Sequence, residues 1–196
     1  EVITGFGRFS GAHTLEIESQ GGDKRSISSA NVVIAVGSAA VELPFLPHDD
    51  PRVITSTGAL ELEDVPERML VIGGGIIGLE MACVFSALGT DVSVVELMDQ
   101  LMPGTDKDLL RPFLKVVKPR YEAIMTSTRV TGMRSTTPGI EVTFEGKDAP
   151  EVGVYDRVLV AVGRRANGDT LDAEKAGVAV NERGVIEVDK QMRTNV

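Results

Sequence analysis

One short glycine-rich segment constrains the fold of this 196-residue chain more than any other feature. Residues 73–78 read Gly-Gly-Gly-Ile-Ile-Gly and match the pattern G-x-G-x-x-G. The pattern follows the apolar run 69–72, a predicted strand, and leads into residues 76–88, where the density of apolar side chains predicts a helix that ends at Gly89. A strand, a tight glycine turn and a helix in this order are typical of a dinucleotide-binding site.

The glycines have separate predicted tasks at such a site. Gly73 permits the tight turn out of the strand, and Gly75 has no side chain to block a pyrophosphate that approaches the backbone. Gly78 lets the helix lie close to the sheet. The first N–H groups of the helix then face the phosphates with a partial positive charge.

An acid at the end of the next predicted strand, residues 92–95, indicates which dinucleotide is bound. Glu96 lies 18 positions after Gly78, where a carboxylate can accept hydrogen bonds from both adenosine ribose hydroxyls and repel a 2′-phosphate. Asp99 adds negative charge, and no basic residue follows until Lys107. We therefore expect NAD to be preferred over NADP. The alternative, a plain strand-to-helix turn beside a solvated acid, does not explain why all these elements are in register.

The remaining patterns predict the fold class. It is an α/β protein: a Rossmann-like NAD-binding domain with a parallel core sheet and a small antiparallel layer. A further helix is expected to start near residues 106–108, with Pro112 in its first turn and Pro119 at or beyond its end. The other predicted strands are 14–18 with a return at 26–29, 31–36 buried on both faces, 129–133, 140–144 and 158–162.

Composition excludes several classes of protein. The net charge of −9 without a basic cluster argues against nucleic acid, and no apolar run approaches the roughly 18 residues of a membrane span. The single cysteine, Cys83, cannot form an internal disulfide and is predicted to be a small core residue. No metal site is predicted, and His13 and His48 receive no role. No secretion leader is recognisable, so a cytoplasmic location is expected, and the start at Glu1 without methionine suggests part of a longer protein.

Three segments together carry a family resemblance: 70–80 around the glycines, 94–96, and 160–165 with the sequence Val-Ala-Val-Gly-Arg-Arg. They resemble the dihydrolipoamide dehydrogenases, FAD- and NAD-dependent members of the pyridine nucleotide-disulfide oxidoreductase family. The resemblance extends to residues 35–38, 43–47, 183–189 and 194–196. It implies four regions: 1–47 as part of an FAD-binding domain, 48–66 as a crossover linker, 67–168 as the NAD-binding domain, and 169–196 as the return to the FAD-binding domain.

The resemblance also implies which residues contact the two cofactors. Around NAD, Glu96 would hold the ribose, Glu80 would lie near the nicotinamide end, and Val130 would line the adenine pocket. The pyrophosphate would be wrapped by Gly73, Gly74, Gly75, Ile76, Ile77 and Gly78, and the cofactor covered by Ala161, Val162, Gly163 and Arg164. FAD would receive backbone contacts from Gly7, Val36, Gly37 and Ser38. Glu80 could instead be an ordinary exposed helix residue, Val130 plain core, and Arg164 a solvated charge.

In this family two electrons pass from dihydrolipoamide through a cysteine pair to FAD, and then as hydride to NAD⁺. This chain has one cysteine in a different place, so we predict no catalytic residue in it. Alone it is expected to bind NAD weakly and to show no turnover. The whole enzyme would be a homodimer whose partner is the lipoyl-bearing acyltransferase of a 2-oxo acid dehydrogenase complex.

Two alternatives remain open at the level of sequence. The first is another flavin disulfide reductase, such as a mercuric or glutathione reductase, or a soluble transhydrogenase that lacks the redox cysteines. The second is a non-catalytic module that senses the redox state of NAD. A cysteine pair upstream of Glu1 would exclude the transhydrogenase, and the mass of the native protein would distinguish an enzyme from a small module.

Overall fold

The computed structural model of the chain describes residues 1–47, 49–147 and 149–196. Two compact units are present: one combines Glu1–Ala39 with Arg164–Val196, and the other is Ala40–Gly163. His48, which has no predicted role, lies outside the described residues. None of the helices in the described ranges is long and apolar enough to cross a membrane.

The chain alternates strands with a few helices. In chain order the elements are β1 (Phe6–Gly11), β2 (Thr14–Glu18), β3 (Lys24–Ser28), β4 (Ser38–Ala40), β5 (Val53–Ile54), α1 (Ser56–Leu60), β6 (Arg68–Ile72), α2 (Ile76–Leu88), β7 (Asp91–Val95), α3 (Lys107–Val117), β8 (Ala123–Met125), β9 (Arg129–Ser135), β10 (Ile140–Glu145), β11 (Val152–Tyr155), β12 (Arg157–Val160) and β13 (Arg164–Ala166). Two 3₁₀ helices follow at Gly168–Thr170 and Ala173–Ala176. The predicted α/β class is confirmed.

The second unit is built on a five-stranded sheet in the order β5-β12-β6-β7-β8. All four neighbouring pairs in it are parallel, and β6 lies at the centre. A separate antiparallel sheet has the order β11-β10-β9. This is the parallel core with a small antiparallel layer that the sequence pattern predicts.

The central strand β6 is apolar on both faces because each face covers a different core. Successive side chains of a strand point to opposite faces. Met69 and Val71 pack with the apolar side chains of the helices, whereas Leu70 and Ile72 pack with those of the antiparallel sheet. All four are at most 6% exposed. The continuous apolar run is therefore explained by a sheet with a layer on each side.

Helix α2 has the bounds that the sequence predicts, 76–88. Gly75 is its N-cap in an extended conformation, and Gly89 is its C-cap with a φ of +104°. The Gly89 N–H donates back to the carbonyls of Phe85 and Ser86, which closes the last turn. The left-handed conformation at Gly89 favours glycine and fixes where the helix ends.

Helix α3 corrects one expectation from the sequence. Pro112 was expected in the first turn, but it is the sixth residue of a helix that starts at Lys107. A proline there has no N–H to donate to the Asp108 carbonyl, which weakens the helix interior. Buried Leu110 and Val117 anchor the helix on either side of it. The helix ends before Pro119, as predicted.

The segment predicted as a crossover linker, 48–66, contributes to the second unit. Its β5 adds the edge strand beside β12. Just before β5, the Arg52 guanidinium donates to both Asp50 carboxylate oxygens at 2.9 and 2.7 Å and to the Thr136 carbonyl at 2.9 Å. These hydrogen bonds hold the pKa of Asp50 well below its usual range. The crossover is therefore fastened to the turn between β9 and β10.

The first unit contains the antiparallel sheet β1-β2-β3 and, except for Ala40 of β4, the short pair β4 and β13. The predicted strand 14–18 and its return are confirmed by β2 and β3. Phe9 of β1 is 4% exposed and packs with Leu171, and its N–H donates to the Leu171 carbonyl at 2.8 Å. Ala173 and Ala176, from the second 3₁₀ helix, complete this small core with Val178.

The prediction of a buried strand at residues 31–36 is wrong. None of these residues is in a strand, Val33 is 91% exposed, and Ile34 alone among them is half-buried. An apolar run becomes a buried strand only where neighbouring strands pair with its backbone and cover its faces. Among the described residues no strand lies beside this run, and the Val36 carbonyl accepts instead from the Asn167 side chain at 2.9 Å.

Candidate nucleotide-binding site

A cleft of about 360 Å³ opens at the carboxyl ends of β6, β7 and β12. The predicted site residues that line it are Gly73, Gly75, Glu96, Val130, Ala161, Val162 and Gly163. The strand expected over 158–162 ends earlier, at Val160, so Ala161 to Gly163 form a loop at the edge of the cleft. This is the position at which open α/β sheets bind their ligands.

Gly73 makes the turn that the sequence predicts. Its φ is +108°, a backbone conformation that residues other than glycine rarely adopt. Its N–H donates to the Val95 carbonyl at 2.8 Å. A Cβ on Gly73 would lie less than 3.0 Å from the Ala161 carbonyl oxygen. Backbone conformation and close packing therefore both favour glycine at this position.

Gly75 and Gly78 meet opposite surroundings. A Cβ on Gly75 would have no atom within 4 Å, so this residue faces the open space of the cleft. A Cβ on Gly78 would overlap the Gly73 carbonyl oxygen and lie 3.1 Å from a methyl group of Val71. Gly78 thus permits the close packing of α2 on β6, and Gly75 leaves room for a ligand.

Glu96 lies directly after β7, and its side chain is turned towards the glycine turn. One carboxylate oxygen accepts the Gly74 N–H at 2.7 Å, and the other accepts the Met98 N–H at 2.8 Å. The residue is 8% exposed and lines the cleft. Each carboxylate oxygen has a second lone pair, so the group can still accept hydrogen bonds from a ligand.

Gly74 does not line the cleft, although the resemblance groups it with the pyrophosphate-binding residues. A Cβ on Gly74 would lie 2.5 Å from the Leu101 side chain and 3.1 Å from the Glu96 Cβ. Its carbonyl accepts the Met102 N–H at 2.8 Å. Gly74 is a glycine because Glu96 and Leu101 pack against it, and the G-x-G-x-x-G pattern leaves this position undefined.

Two loops supply lining residues that the sequence analysis missed. These are Leu97, Met98 and Pro103 after β7, and Thr128 after β8, with Ile72 and Val95 from the strand ends. The Ser127 N–H donates to the Met98 carbonyl at 2.7 Å, and the Thr128 N–H donates to the Glu96 carbonyl at 3.0 Å. These contacts join loops far apart in sequence, and no local pattern predicts them.

The outer residues of α2 lie beside the cleft without lining it. Ile76 is 68% exposed, Ile77 is half-buried and Glu80 is exposed. Glu80 is on the free side of α2, which fits either reading of its role. The first N–H groups of α2 have no acceptor within the helix, because helical hydrogen bonds begin only one turn in. The Leu79 N–H donates to the Gly75 carbonyl at 3.0 Å, one turn into the helix.

The residues predicted to contact FAD belong to the first unit. Gly37 has a φ of +63°, a conformation that favours glycine, and its carbonyl accepts the Asn167 N–H at 3.1 Å. Gly7 lies in β1, and a Cβ there would meet no atom within 4 Å. Arg164, predicted to cover NAD, also belongs to this unit. Its guanidinium donates to the Ser38 hydroxyl at 2.7 Å and to the Ser38 carbonyl.

Among the described residues that line the cleft, Glu96 has the one charged side chain. A ligand with anionic phosphates would meet no lysine or arginine among these residues. The N-terminus of α2 supplies the compensating partial positive charge through its backbone N–H groups. A neutral or hydroxyl-bearing part of the ligand fits next to Glu96, and an additional phosphate there would be repelled.

Cys83 lies on α2 and is half-buried. Its Sγ is 3.1 Å from the Tyr121 hydroxyl, and burial, followed by this hydrogen bond, raises the pKa of Tyr121. No group of three or more histidine, cysteine or carboxylate side chains that could hold a metal occurs among the described residues. Cys83 thus packs against Tyr121, as expected for a small residue beside the core.

The parallel sheet, the glycine turn and the acid at the end of β7 define a dinucleotide-binding α/β protein of the Rossmann type. A family model described as "Pyridine nucleotide-disulphide oxidoreductase" matches residues 1–196. The chain belongs to this family.

Curated relatives are similar along the whole chain. The dihydrolipoyl dehydrogenase of Vibrio cholerae is 50% identical over 196 residues, and that of Haemophilus influenzae is 48% identical over 195 residues. Each alignment covers 100% of this chain and 41% of the relative. The chain therefore spans about two fifths of the length of these relatives. The predicted resemblance to dihydrolipoamide dehydrogenases is confirmed.

A solved structure shares the fold. The Cu(II) complex of the HOCl-induced flavoprotein disulfide reductase RclA from Escherichia coli has a TM-score of 0.89 and is 28% identical. The match covers 100% of this chain and 43% of that chain. The family takes its name from a pyridine nucleotide, and the similar structure is that of a flavoprotein, in agreement with the predicted cofactors NAD and FAD.

Proposed function

We propose that this chain is the NAD-binding portion of a dihydrolipoyl dehydrogenase. In the whole protein, dihydrolipoamide would be oxidised through a cysteine pair and FAD, and NAD⁺, when bound, would accept the hydride. The observation that carries the proposal is the cleft in which an open glycine turn faces a buried carboxylate. The high identity to dihydrolipoyl dehydrogenases along the whole chain supports the same assignment.

In this proposal the chain binds and orients the nucleotide. The N–H groups at the start of α2, around Ile76 and Ile77, donate to the pyrophosphate, which lies in the space left by Gly75. Glu96 accepts from the ribose hydroxyls, and Val130 offers an apolar wall to the adenine. The loop 161–163 closes the opposite side of the cleft. The open position at Gly75 is the space that a bound pyrophosphate needs, so the residues present fit the cofactor.

The proposal assigns the rest of the chain to the flavin side of the enzyme. Residues 1–47 and 169–196 would be parts of the FAD-binding domain, and residues 36–38 and Gly7 would contact FAD. The whole protein would be a cytoplasmic homodimer that receives electrons from the lipoyl-bearing acyltransferase of a 2-oxo acid dehydrogenase complex. We assign no catalytic residue to this chain, because the reaction needs a pair of cysteines and the chain has only Cys83. Cys83 is half-buried, and its Sγ is hydrogen-bonded to the Tyr121 hydroxyl.

Lipoamide-dependent turnover tests this assignment. We expect the purified 196-residue chain to bind NADH and to form no NADH from NAD⁺ and dihydrolipoamide, because it has one cysteine and the reaction requires two. The longer protein that contains the chain is expected to catalyse the reaction. The rate of increase in NADH absorbance, which should rise in proportion to the enzyme concentration, measures it. Turnover by the chain alone, or the lack of it in the longer protein, would contradict the proposal.

The choice between NAD and NADP gives a second prediction. We expect NADH to bind at least about tenfold more tightly than NADPH, because the 2′-phosphate would lie beside Glu96 with no base in the cleft lining; about tenfold corresponds to a repulsion of roughly 1.4 kcal/mol. Fluorescence titration of the chain with each nucleotide measures this ratio. Repeating it at high salt is the control, since screening should weaken the preference. Equal or tighter binding of NADPH would refute the predicted preference.

A further inference from the structure

The Glu96 carboxylate is already engaged with the protein. Both of its oxygens accept backbone N–H groups, one from Gly74 in the glycine turn and one from Met98 in the loop after β7. The side chain is 8% exposed, and hydrogen bonds to a charged acceptor are stronger than neutral ones, particularly when shielded from water.

The peptide groups around Gly74 are held from several sides. Its N–H donates to Glu96, and its carbonyl accepts the Met102 N–H at 2.8 Å. The Gly73 N–H donates to the Val95 carbonyl at 2.8 Å. The Leu101 and Glu96 side chains fill the space where a Gly74 side chain would stand. Apart from the Gly74–Glu96 bond, all of these hydrogen bonds join backbone to backbone. Glu96 thus provides the side-chain hydrogen bond to this turn.

We propose that Glu96 is a positioning residue for the glycine turn in addition to a ribose contact. It holds the turn, and with it the N–H groups at the start of α2, in the binding conformation before a nucleotide arrives. This role rests on the proposed nucleotide-binding function and goes beyond it. Its consequence is that Glu96 contributes to the binding of the pyrophosphate, which it does not touch, because a turn ordered in advance does not have to be ordered on binding.

A comparison of two nucleotides separates the two roles of Glu96. ADP has a pyrophosphate and both ribose hydroxyls, whereas 2′,3′-dideoxyadenosine diphosphate keeps the adenine and the pyrophosphate and lacks both hydroxyls. If Glu96 acts through the turn, Glu96→Gln in the full chain weakens both ligands, the dideoxy compound by about tenfold, because a glutamine amide has one acceptor oxygen for the two backbone N–H groups and carries no charge to strengthen the bond that remains. An unchanged affinity for the dideoxy compound in Glu96→Gln overturns the proposal. Glu63→Gln, which removes an exposed acid, is the matched control.

The hydrogen-exchange rate of the Gly74 N–H, measured without ligand, also tests the positioning role. This rate would not depend on Glu96 if the residue acted only by contacting the ligand. In the wild-type chain we expect this N–H to exchange at least about a hundredfold more slowly than in a free peptide, because it is buried and bonded to Glu96. In Glu96→Gln its exchange should accelerate while that of the Val71 N–H in β6 stays slow. Fast exchange of Gly74 in the wild type overturns the proposal without any variant, so the test does not depend on how well Glu96→Gln folds.

Failure of this inference is distinguishable from failure of the proposed function. A wild-type chain that binds neither ADP nor NADH refutes the nucleotide function itself. A wild-type chain that binds ADP, together with a Glu96→Gln variant that loses only the part of the affinity due to the hydroxyls, leaves the function intact and refutes the positioning role.

Discussion

Replacing Gly78 by alanine is expected to destabilise the second unit by about 3 kcal/mol or more and to remove nucleotide binding. The added Cβ would overlap the carbonyl oxygen of Gly73 and press on Val71, which is 0% exposed. The obstacle is backbone of the turn itself, so no side-chain rotation can relieve it. Urea unfolding measured by circular dichroism gives the loss of stability, and NADH titration gives the loss of binding.

Local propensity predicts the opposite sign for this substitution. Alanine is favoured over glycine within a helix by roughly 1 kcal/mol, so an isolated α2 would gain from the change. Gly132→Ala is the matched control, because its Cβ would approach nothing closer than 3.8 Å and should leave stability almost unchanged. A Gly78→Ala variant as stable as the wild type would show that α2 can move away from β6 at little cost, which would contradict a requirement for close packing at Gly78.

Replacing Gly75 by leucine is expected to have the largest effect on binding while the fold persists. Gly75 has an extended conformation, and a Cβ there meets no atom within 4 Å, so the side chain can be added without strain. It would occupy the space in front of the first N–H groups of α2, which the pyrophosphate needs. We expect NADH affinity to fall by at least about a hundredfold, equivalent to roughly 2.7 kcal/mol.

Urea unfolding and NADH titration also test Gly75→Leu, which should lose binding and keep its stability, whereas Gly78→Ala should lose both. The free energy of unfolding of Gly75→Leu should remain within about 1 kcal/mol of that of the wild type, since a leucine at a helix N-cap costs only that much. Gly11→Leu is the matched control: Gly11 is another glycine in open space, at the end of β1, and its replacement should leave NADH binding unchanged. Retained affinity in Gly75→Leu would mean that the nucleotide does not lie across this turn.

Local signals in the sequence were sufficient for the central part of the molecule. The strand β6, the exact bounds of α2 and the acid after β7 follow one another within 30 residues, and each is defined by its own residues. Gly73 and Gly89 have left-handed conformations, and this is the reason that glycines mark these two turns. The candidate site could be located in advance because it is built from these adjacent elements.

Features that depend on distant partners could not be predicted in the same way. Residues 31–36 have the composition of a buried strand, but a strand needs a neighbour, and composition does not reveal whether one is present. The reason for a glycine at position 74 depends on Leu101, and the placement of Met98 depends on Ser127. Pro112 is tolerated inside α3 because buried residues on both sides hold the helix, which is also a tertiary effect.

The two faces of β6 have a consequence for how this protein can vary in length. Met69 and Val71 serve one core and Leu70 and Ile72 the other, and the glycine turn begins at the next residue. Inserting or deleting a single residue in this strand would exchange the two sets of side chains and also displace the turn from the end of β7. An insertion or deletion within β6 is therefore expected to disrupt both cores at once, and the distance from the start of β6 to the cleft is fixed.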